Sequence, residues 1–240
     1  MTRFFSDSDS ISGNTIYLSA NIMDHVRSLR LRPDERFVVC DGNGFDYICK
    51  LGAFGDASAE IIERRPTQGE PTVICSVFVA FAKGDRLEYA VQKSVELGAF
   101  EIVLFPSHRC VSSPGDHIKK IVRLQRISEE AAKQSGRGRI PIVSALDSYE
   151  AAIRKAACAA LPMFFYEGEE ELHLKQALER LGEHNSISIV TGPEGGFELF
   201  EVESARAAGM SIVTLGSRVL RCETAPAAVL AAVMFHTGNF

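Results

Sequence analysis

The sequence predicts an α/β protein with a mostly parallel sheet, preceded by a small β-rich module. Three observations support this prediction. Short β-like segments dominate residues 1–70, and a linker that contains Pro and Gly follows at residues 65–71. Strand-like apolar runs then alternate with helix-like periods in six units to the C-terminus. We therefore divide the chain into domains at residues 1–70 and 71–240.

The first module has four predicted strands and one short helix. Residues 41–44, Asp-Gly-Asn-Gly, join the second strand to the third and predict a hairpin, because Asn and Gly accept positive φ angles. The strands are predicted at residues 15–18, 36–40, 45–51 and 57–63, and the helix at residues 21–30. These segments indicate a small β-barrel or sheet.

The second domain alternates strands with helices. Its first strand, residues 72–82, is a nearly continuous apolar run, as expected for a strand buried on both faces of a parallel sheet. A helix over residues 85–97 follows and ends at Gly98. The other strands are predicted at residues 101–105, 140–143, 163–166, 186–191 and 211–215, and the other helices at residues 116–135, 148–160, 170–181, 200–208 and 224–236.

Composition and charge exclude several classes of protein. The 240 residues carry 26 Lys and Arg against 31 Asp and Glu, and this net charge of −5 argues against uniform positive charge for binding nucleic acid. The longest apolar run, residues 226–235, is too short to span a bilayer. The first residues lack an apolar stretch and soon become acidic, so we expect no secretory signal. Six scattered Cys and six scattered His show no metal-ligand spacing. We expect a cytoplasmic protein with no membrane contact and no metal.

In an open parallel sheet, ligands bind beyond the carboxyl ends of the strands. Two of the loops that follow predicted strands have an unusual composition. Residues 192–197 place three glycines and a proline around Glu194, which indicates either a tight turn or a close backbone approach to a ligand. Residues 215–226 hold Arg218 and Arg221 on either side of an apolar pair, which predicts a buried, ordered crossing. Neither a P-loop nor a dinucleotide fingerprint is present, which disfavours ATP and NAD.

The motifs in these loops are Gly192-Pro193-Glu194-Gly195-Gly196 and Leu215-Gly216-x-Arg218-Val219-Leu220-Arg221-x-Glu223-Thr224-Ala225. Shorter motifs run through the chain, among them Arg3-Phe4-Phe5, Lys83-Gly84-Asp85-Arg86 and Glu130-Ala131-Ala132-x-Gln134-Ser135. In all of them the sequence resembles the 16S rRNA uridine-N3 methyltransferases of the RsmE type, within the SPOUT superfamily. Cys222 and Pro226 depart from the residues usual in that family.

The resemblance implies a PUA-like β-barrel over residues 1–70 and a SPOUT domain with a parallel sheet and a C-terminal trefoil knot. It implies a homodimer that binds S-adenosylmethionine and methylates N3 of one uridine in the decoding region of 16S rRNA, in the small ribosomal subunit. The cofactor-binding residues that it implies are Thr191, Gly192, Pro193, Gly195, Gly196, Leu215, Gly216, Arg218, Val219, Leu220 and Thr224.

Methyl transfer to N3 of uracil requires removal of the imide proton and stabilisation of the resulting negative charge. Arg221 is the candidate for stabilising the uracil anion, with Arg218 as the alternative. Glu194 or Glu223 either accepts the proton or orients an arginine, and both interpretations stay open.

RNA binding needs local positive charge, because the whole chain is acidic. Residues 109–139 carry eight Lys and Arg against three Asp and Glu, a local net charge of +5. In Gly136-Arg137-Gly138-Arg139 the glycine spacing favours a flexible loop whose arginines reach phosphates. The predicted RNA contacts are Arg3, Arg27, Arg30, Arg109, Arg137 and Arg139.

Two other functions stay open. One is a related SPOUT methyltransferase that acts on tRNA or on a ribose 2′-hydroxyl, and the other is a ribosome-assembly factor that binds RNA without transferring methyl groups. The intact glycines and loop arginines favour an enzyme, and the joined PUA-like module favours rRNA as its substrate.

Overall fold

The computed structural model describes residues 1–52, 57–110, 117–182 and 186–240. The chain divides into two compact units, of which the first contains Met1–Glu70 with Ala132–Ile140 and the second contains Pro71–Ala131 with Pro141–Phe240. The sequence-based division left residues 132–140 in the second domain. They group with the first unit because their backbone and side chains bind residues of that unit, as in the hydrogen bond from the Cys40 thiol to the Gly138 carbonyl.

The first unit is built on a six-stranded sheet. Its elements are β1 (Arg3–Phe5), β2 (Ile11–Ser12), β3 (Thr15–Tyr17), α1 (Ala20–Ser28), β4 (Phe37–Cys40), β5 (Phe45–Leu51) and β6 (Ser58–Pro66), with a 3-10 turn at Ser8–Ser10. The strand order is β1-β4-β5-β6-β3-β2, in which only the β1–β4 pair is parallel. The sequence did not predict β1 and β2, because strands of two or three residues are too short to show an alternating pattern.

The predicted hairpin is confirmed, since β4 and β5 pair in antiparallel register. Asp41 Oδ1 accepts hydrogen bonds from the backbone N–H of Asn43 at 2.8 Å and of Phe45 at 3.1 Å, while Gly42 and Gly44 adopt positive φ angles. Beneath the sheet, Phe4, Phe37 and neighbouring apolar side chains form the core of this unit, and α1 adds Ile22 and Val26.

The second unit confirms the predicted α/β class. Its elements are β7 (Ile74–Ala80), α2 (Arg86–Glu96), β8 (Glu101–Phe105), α3 (His117–Ser135), β9 (Ile142–Ala145), α4 (Tyr149–Ala156), β10 (Leu161–Phe165), α5 (Leu174–Leu178), β11 (Ser186–Thr191), α6 (Leu199–Ala207), β12 (Ser211–Val213) and α7 (Thr224–His236). The sheet has the order β12-β10-β11-β7-β8-β9, and every described pair in it is parallel. The last four residues of α3 belong to the first unit, and residue 116, its predicted start, lies outside the described residues.

Several element boundaries differ from the prediction by a few residues. The helix predicted over residues 170–181 is only five residues long, since Leu172 and Leu174 exchange backbone hydrogen bonds with Thr214 next to β12. Likewise, α4 ends at Ala156 rather than at residue 160. The strand β9 begins two residues later than predicted, after Pro141, whose carbonyl accepts a hydrogen bond from the Ser128 hydroxyl at 2.7 Å.

The parallel sheet brings the loops after β7, β8, β10, β11 and β12 to one edge of the second unit. Among the residues that the structure describes, no helix combines the length and the apolar character needed to cross a membrane. The same residues include no cluster of three His, Cys, Asp or Glu side chains placed to hold a metal ion. The expected lack of a metal stays a prediction.

Candidate active site

A cavity of about 500 Å³ opens where the neighbouring strands β12, β10 and β11 end. The loop after β10 contributes Tyr166 and Glu167, and the loop after β11 contributes residues 192–196. The loop after β12 supplies most of residues 214–223, and Arg86 enters from the start of α2. The cavity therefore lies at the edge of the sheet where parallel strands place ligand sites.

The cavity collects the site residues that the sequence singled out. Glu194, Arg221 and Glu223, the three predicted catalytic residues, all line it. So do all the predicted cofactor-binding residues but one, namely Thr191, Gly192, Pro193, Gly195, Gly196, Leu215, Gly216, Arg218, Val219 and Leu220. The exception is Thr224, the exposed first residue of α7.

The glycine loop after β11 is both a tight turn and a wall of the cavity. The Gly196 N–H donates to the Pro193 carbonyl at 3.0 Å, which closes the turn. Gly196 has a φ of +68°, and a Cβ there would collide with the Glu167 carboxylate. A Cβ at Gly192 would lie 3.0 Å from the Phe197 ring. The glycines thus allow backbone and neighbouring side chains to approach closely, and the two interpretations offered by the sequence are compatible.

The loop after β12 differs from its prediction. Val219 is 80% exposed, and Arg218 and Arg221 are exposed as well, so the predicted buried crossing is wrong for the single chain. Gly216 turns the loop with a φ of +92°, and its N–H donates to the Thr214 hydroxyl at 3.1 Å. Within the described residues, neither guanidinium group has an ion-pair partner. Both cations are therefore available to an anionic or carbonyl ligand in the cavity.

Glu194 and Glu223 face the same cavity and share an arginine that sequence reasoning did not place in the site. The Arg86 guanidinium donates to Glu194 Oε1 at 2.5 Å, and its Nε lies 3.9 Å from Glu223 Oε2. The Lys83 backbone N–H donates to the same Glu194 oxygen at 2.9 Å. The motif from Lys83 to Arg86 was visible in the sequence, but nothing in it indicated these partners.

These contacts lower the pKa of the Glu194 carboxyl group. Desolvation raises the pKa of Glu194, but hydrogen bonds from the backbone N–H of Lys83, from its own N–H and from Arg86 outweigh that effect and lower the pKa. The hydrogen bond to Glu194 in turn raises the pKa of Arg86. A carboxylate whose pKa is lowered is a weak base, so Glu194 is better suited to orienting Arg86 than to accepting a proton.

Cys222, one of the departures from the family pattern, is a buried thiol beside the second acidic residue. Its Sγ lies 3.2 Å from Glu223 Oε2 and donates to it. Desolvation and the hydrogen bond to Glu223 raise the pKa of Cys222 to about 12. At neutral pH the side chain is therefore an uncharged donor that helps to fix Glu223, rather than a nucleophile.

Arg109, a predicted RNA contact, supports the glycine loop instead. Its Nε donates to Glu198 Oε1 at 2.8 Å, and its Nη1 donates to the Gly195 carbonyl at 2.9 Å. The hydrogen bond between the two side chains raises the pKa of Arg109 and lowers that of Glu198, so both stay charged. The guanidinium is thus engaged by the protein, because it ties the loop after β8 to the loop after β11.

Two predicted RNA contacts in the first unit are also engaged by carboxylates. Arg137 is only 2% exposed, and its Nε and Nη2 donate to the two oxygens of Glu70 at 2.8 and 2.9 Å. Arg3 binds the two oxygens of Asp46 through Nη1 and Nη2, at 2.7 and 2.6 Å. Arg137 is buried and Arg3 is partly buried, and both guanidinium groups are held in bidentate ion pairs within the protein. Their contact with RNA phosphates stays a prediction, which these ion pairs disfavour.

The other predicted contacts in the first unit are more accessible. Arg27 is exposed in an ion pair with Asp24, and Arg30 is exposed with a φ of +53°. Arg139 is half-buried, and its backbone N–H donates to Glu70 at 3.2 Å. Burial does not remove these three residues from consideration as RNA contacts.

Comparisons with known proteins agree over almost the whole chain. Family profiles described as "RNA methyltransferase domain" and "RNA methyltransferase PUA domain" match residues 69–234 and 25–63. Ribosomal RNA small subunit methyltransferase E of Bacillus subtilis is 30% identical over 95% of this chain and 90% of its own length. The protein of that name from Aquifex aeolicus is 31% identical over 95% of this chain and 97% of its own length. A crystal structure of a Neisseria gonorrhoeae protein of that name, bound to S-adenosyl methionine, aligns with a TM-score of 0.83 and 31% identity, covering 98% of this chain and 97% of that one.

Proposed function

Because the chain belongs to the ribosomal RNA small subunit methyltransferase E family, we propose that it methylates N3 of one uridine in the decoding region of 16S rRNA, using S-adenosylmethionine. The substrate is the small ribosomal subunit, and the site of action is the cytoplasm. The observation that carries the proposal is the cavity at the ends of β10, β11 and β12. In it the glycine loop after β11 meets the carboxylates of Glu167, Glu194 and Glu223 and the two exposed arginines of the loop after β12.

The residues of the cavity fit S-adenosylmethionine. A volume of about 500 Å³ lies in the range of small-molecule sites. The backbone of Gly196 lies close to the Glu167 carboxylate at the wall of the cavity. The carboxylates of Glu167, Glu194 and Glu223 complement the positive charge of a sulfonium group. When bound, the cofactor supplies the methyl group. We propose that residues 191–196 and 214–220 hold it, with Thr224 at the edge of the site.

Arg221 is the residue that we propose for stabilising the uracil anion. Removal of the N3 proton leaves negative charge shared with O2 and O4, and a guanidinium that is fixed in the site stabilises that charge. Arg221 lines the cavity and lacks an ion-pair partner among the described residues, and Arg218 is the second such cation. Because Glu194 already accepts hydrogen bonds from Lys83 and Arg86, we propose Glu223 as the acceptor of the proton.

Two finer features of the fold belong to the proposal. We propose that the six-stranded sheet of the first unit forms a PUA-like β-barrel, as the match to the PUA profile supports. We also propose that the segment from β12 to α7 threads a trefoil knot, as the family resemblance implies. A crystal structure that traces residues 186–236 without a break tests the knot, and an unthreaded path would contradict it.

A homodimer is supported by exposed apolar residues of the second unit. The helix α7 consists mainly of apolar residues, and one of them, Phe235, is 79% exposed. Val219, in the loop before α7, is 80% exposed. Exposed apolar side chains of this size favour burial against a second copy. We expect sedimentation equilibrium to give about twice the chain mass of 26.2 kDa, and Phe235→Asp to shift the mass toward the monomer. A wild-type monomer at micromolar concentration would contradict the proposal.

RNA contacts of the first unit are proposed for Arg27, Arg30 and Arg139. Removing one arginine that binds a phosphate should reduce the slope of log binding constant against log salt by about 1. We therefore expect Arg27→Ala combined with Arg30→Ala to weaken binding of small subunits and to flatten the salt dependence in a filter-binding series. Unchanged slopes would show that the RNA surface lies elsewhere.

Incubation with labelled S-adenosylmethionine and small subunits from a strain lacking this activity tests the proposed reaction. We expect one methyl group per subunit, located by nucleotide mapping at N3 of a single uridine in 16S rRNA. Label on tRNA or on a ribose 2′-hydroxyl would instead support a related methyltransferase. Binding of subunits without any transfer would support an assembly factor.

A further inference from the structure

Arg86 contacts two carboxylates of the proposed active site, Glu194 and Glu223, although it belongs to neither cofactor loop. We propose that Arg86 is a positioning residue, which holds Glu194 and Glu223 in place and thereby keeps both carboxylates from pairing with Arg221. This inference rests on the proposed function, because it assigns Arg221 to the uracil.

The geometry makes Arg86 a cross-link between three separate parts of the second unit. Arg86 is the first residue of α2, Glu194 lies in the loop after β11, and Glu223 immediately precedes α7. The side chain of Arg86 is 41% exposed, whereas those of Glu194 and Glu223 are 23% and 16% exposed. Both carboxylates are thus largely shielded from water, and among the described residues Arg86 is the cation with an ion-pair contact to each of them.

Glu223 connects this cross-link to Arg221. The backbone carbonyl of Arg221 accepts hydrogen bonds from the N–H groups of Thr224 at 2.8 Å and of Ala225 at 2.9 Å. Glu223 therefore lies inside the turn that starts α7 and fixes the backbone of Arg221. A displacement of Glu223 moves that turn, so Arg86 acts on Arg221 through Glu223.

The charges in the cavity also require a cation at the position of Arg86. Without Arg86, the cavity would hold Glu194 and Glu223 as like charges that repel each other, with the Arg218 and Arg221 cations lining the same cavity. Each carboxylate would gain by pairing with one of these guanidinium groups. Such a pair would neutralise the cation that the uracil anion requires, so Arg86 keeps Arg221 free.

Arg86→Gln in the full-length protein tests the inference. We expect kcat/KM with small subunits to fall roughly 10- to 100-fold, the range for loss of a hydrogen bond to a charged group. Arg86→Lys should retain part of the activity, since an ammonium group keeps the charge. The double variant with Glu194→Gln should lose no more than Arg86→Gln alone, because removing the freed carboxylate relieves its competition for Arg221. Additive losses, or wild-type activity of Arg86→Gln, would overturn the inference.

Arg123→Gln is the matched control. Arg123 also pairs with a glutamate of α2, at 2.7 Å from Glu88, but it is 67% exposed and does not line the cavity. We expect its activity to equal that of the wild type. Isothermal titration with S-adenosylmethionine separates this inference from the proposed function. A wild-type protein that binds the cofactor without methylating subunits refutes the proposed function. Arg86→Gln should bind the cofactor with nearly wild-type affinity, because the inference links Arg86 to Arg221 rather than to the cofactor. A loss of cofactor affinity as large as the loss of kcat/KM would refute the inference.

Discussion

Arg221→Ala is expected to lower methyl transfer about 100- to 1,000-fold while leaving the fold and most cofactor binding intact. That range is typical for removing one donor that stabilises charge developing in a transition state. Arg221 is exposed and makes no side-chain ion pair within the described residues, so its removal should change stability very little. The loss should therefore appear in kcat rather than in the affinity for S-adenosylmethionine.

Single-turnover transfer to small subunits and calorimetric titration of the cofactor measure the two effects separately. Arg154→Ala is the control, because Arg154 is an exposed arginine of α4 that does not line the cavity. Arg218→Ala distinguishes the two cations of the loop after β12. A larger loss of methyl transfer in Arg218→Ala than in Arg221→Ala would assign stabilisation of the uracil anion to Arg218. Undiminished turnover of Arg221→Ala would show that Arg221 takes no part in the mechanism.

The parallel sheet and the place of the site could be predicted because their signals are local. The apolar run before the glycine loop gave β11 at residues 186–191, and the final apolar segment gave α7 at residues 224–236, both with the observed bounds. Since ligand sites lie beyond the carboxyl ends of parallel strands, the loop after each strand could be searched for unusual residues. The glycines around Glu194 identified the loop after β11, and Arg218 and Arg221 identified the loop after β12. These two loops form the main walls of the cavity.

Contacts between distant segments could not be predicted in the same way. Arg86 and Glu194 are 108 residues apart, and nothing in either local sequence specifies the other. A similar limit applies to the helix predicted over residues 170–181. Its sequence pattern is helical, but Leu172 and Leu174 form backbone hydrogen bonds with Thr214, and the observed helix α5 is shorter. In both places a tertiary contact decided the outcome, and periodicity carries no information about it.

The positively charged residues counted over residues 109–139 do not form one surface, for a related reason. A charge count treats these residues as one surface, whereas Arg109 binds Glu198 in the second unit and Arg137 binds Glu70 in the first. The glycine spacing was misleading as well. A Cβ at Gly138 would collide with Thr67, so this glycine allows close packing rather than a flexible loop.

Arg137→Ala is expected to have the largest effect on stability. Its side chain is 3% exposed, and Glu70 also accepts the N–H of Gly138 at 2.7 Å. Removal of Arg137 leaves the Glu70 carboxylate, which is 27% exposed, with backbone donors alone. Loss of hydrogen bonds to a charged group typically costs about 1.5 to 3 kcal/mol. We expect the first unit to unfold at a lower urea concentration, followed by far-ultraviolet circular dichroism because the chain has no Trp.

Arg27→Ala is the control for that measurement, since Arg27 pairs with Asp24 on the surface and such exposed pairs contribute less than about 1 kcal/mol. Arg137→Lys should have an intermediate urea midpoint, because an ammonium group keeps the charge without the bidentate contact.

Binding of small subunits separates the structural role of Arg137 from the predicted RNA contact. At a temperature where Arg137→Ala is still folded, we expect its affinity and its salt dependence to match the wild type. A flattened salt dependence in the folded variant would return Arg137 to the RNA surface, and an unchanged urea midpoint would show that the Glu70 pair does not hold the first unit together.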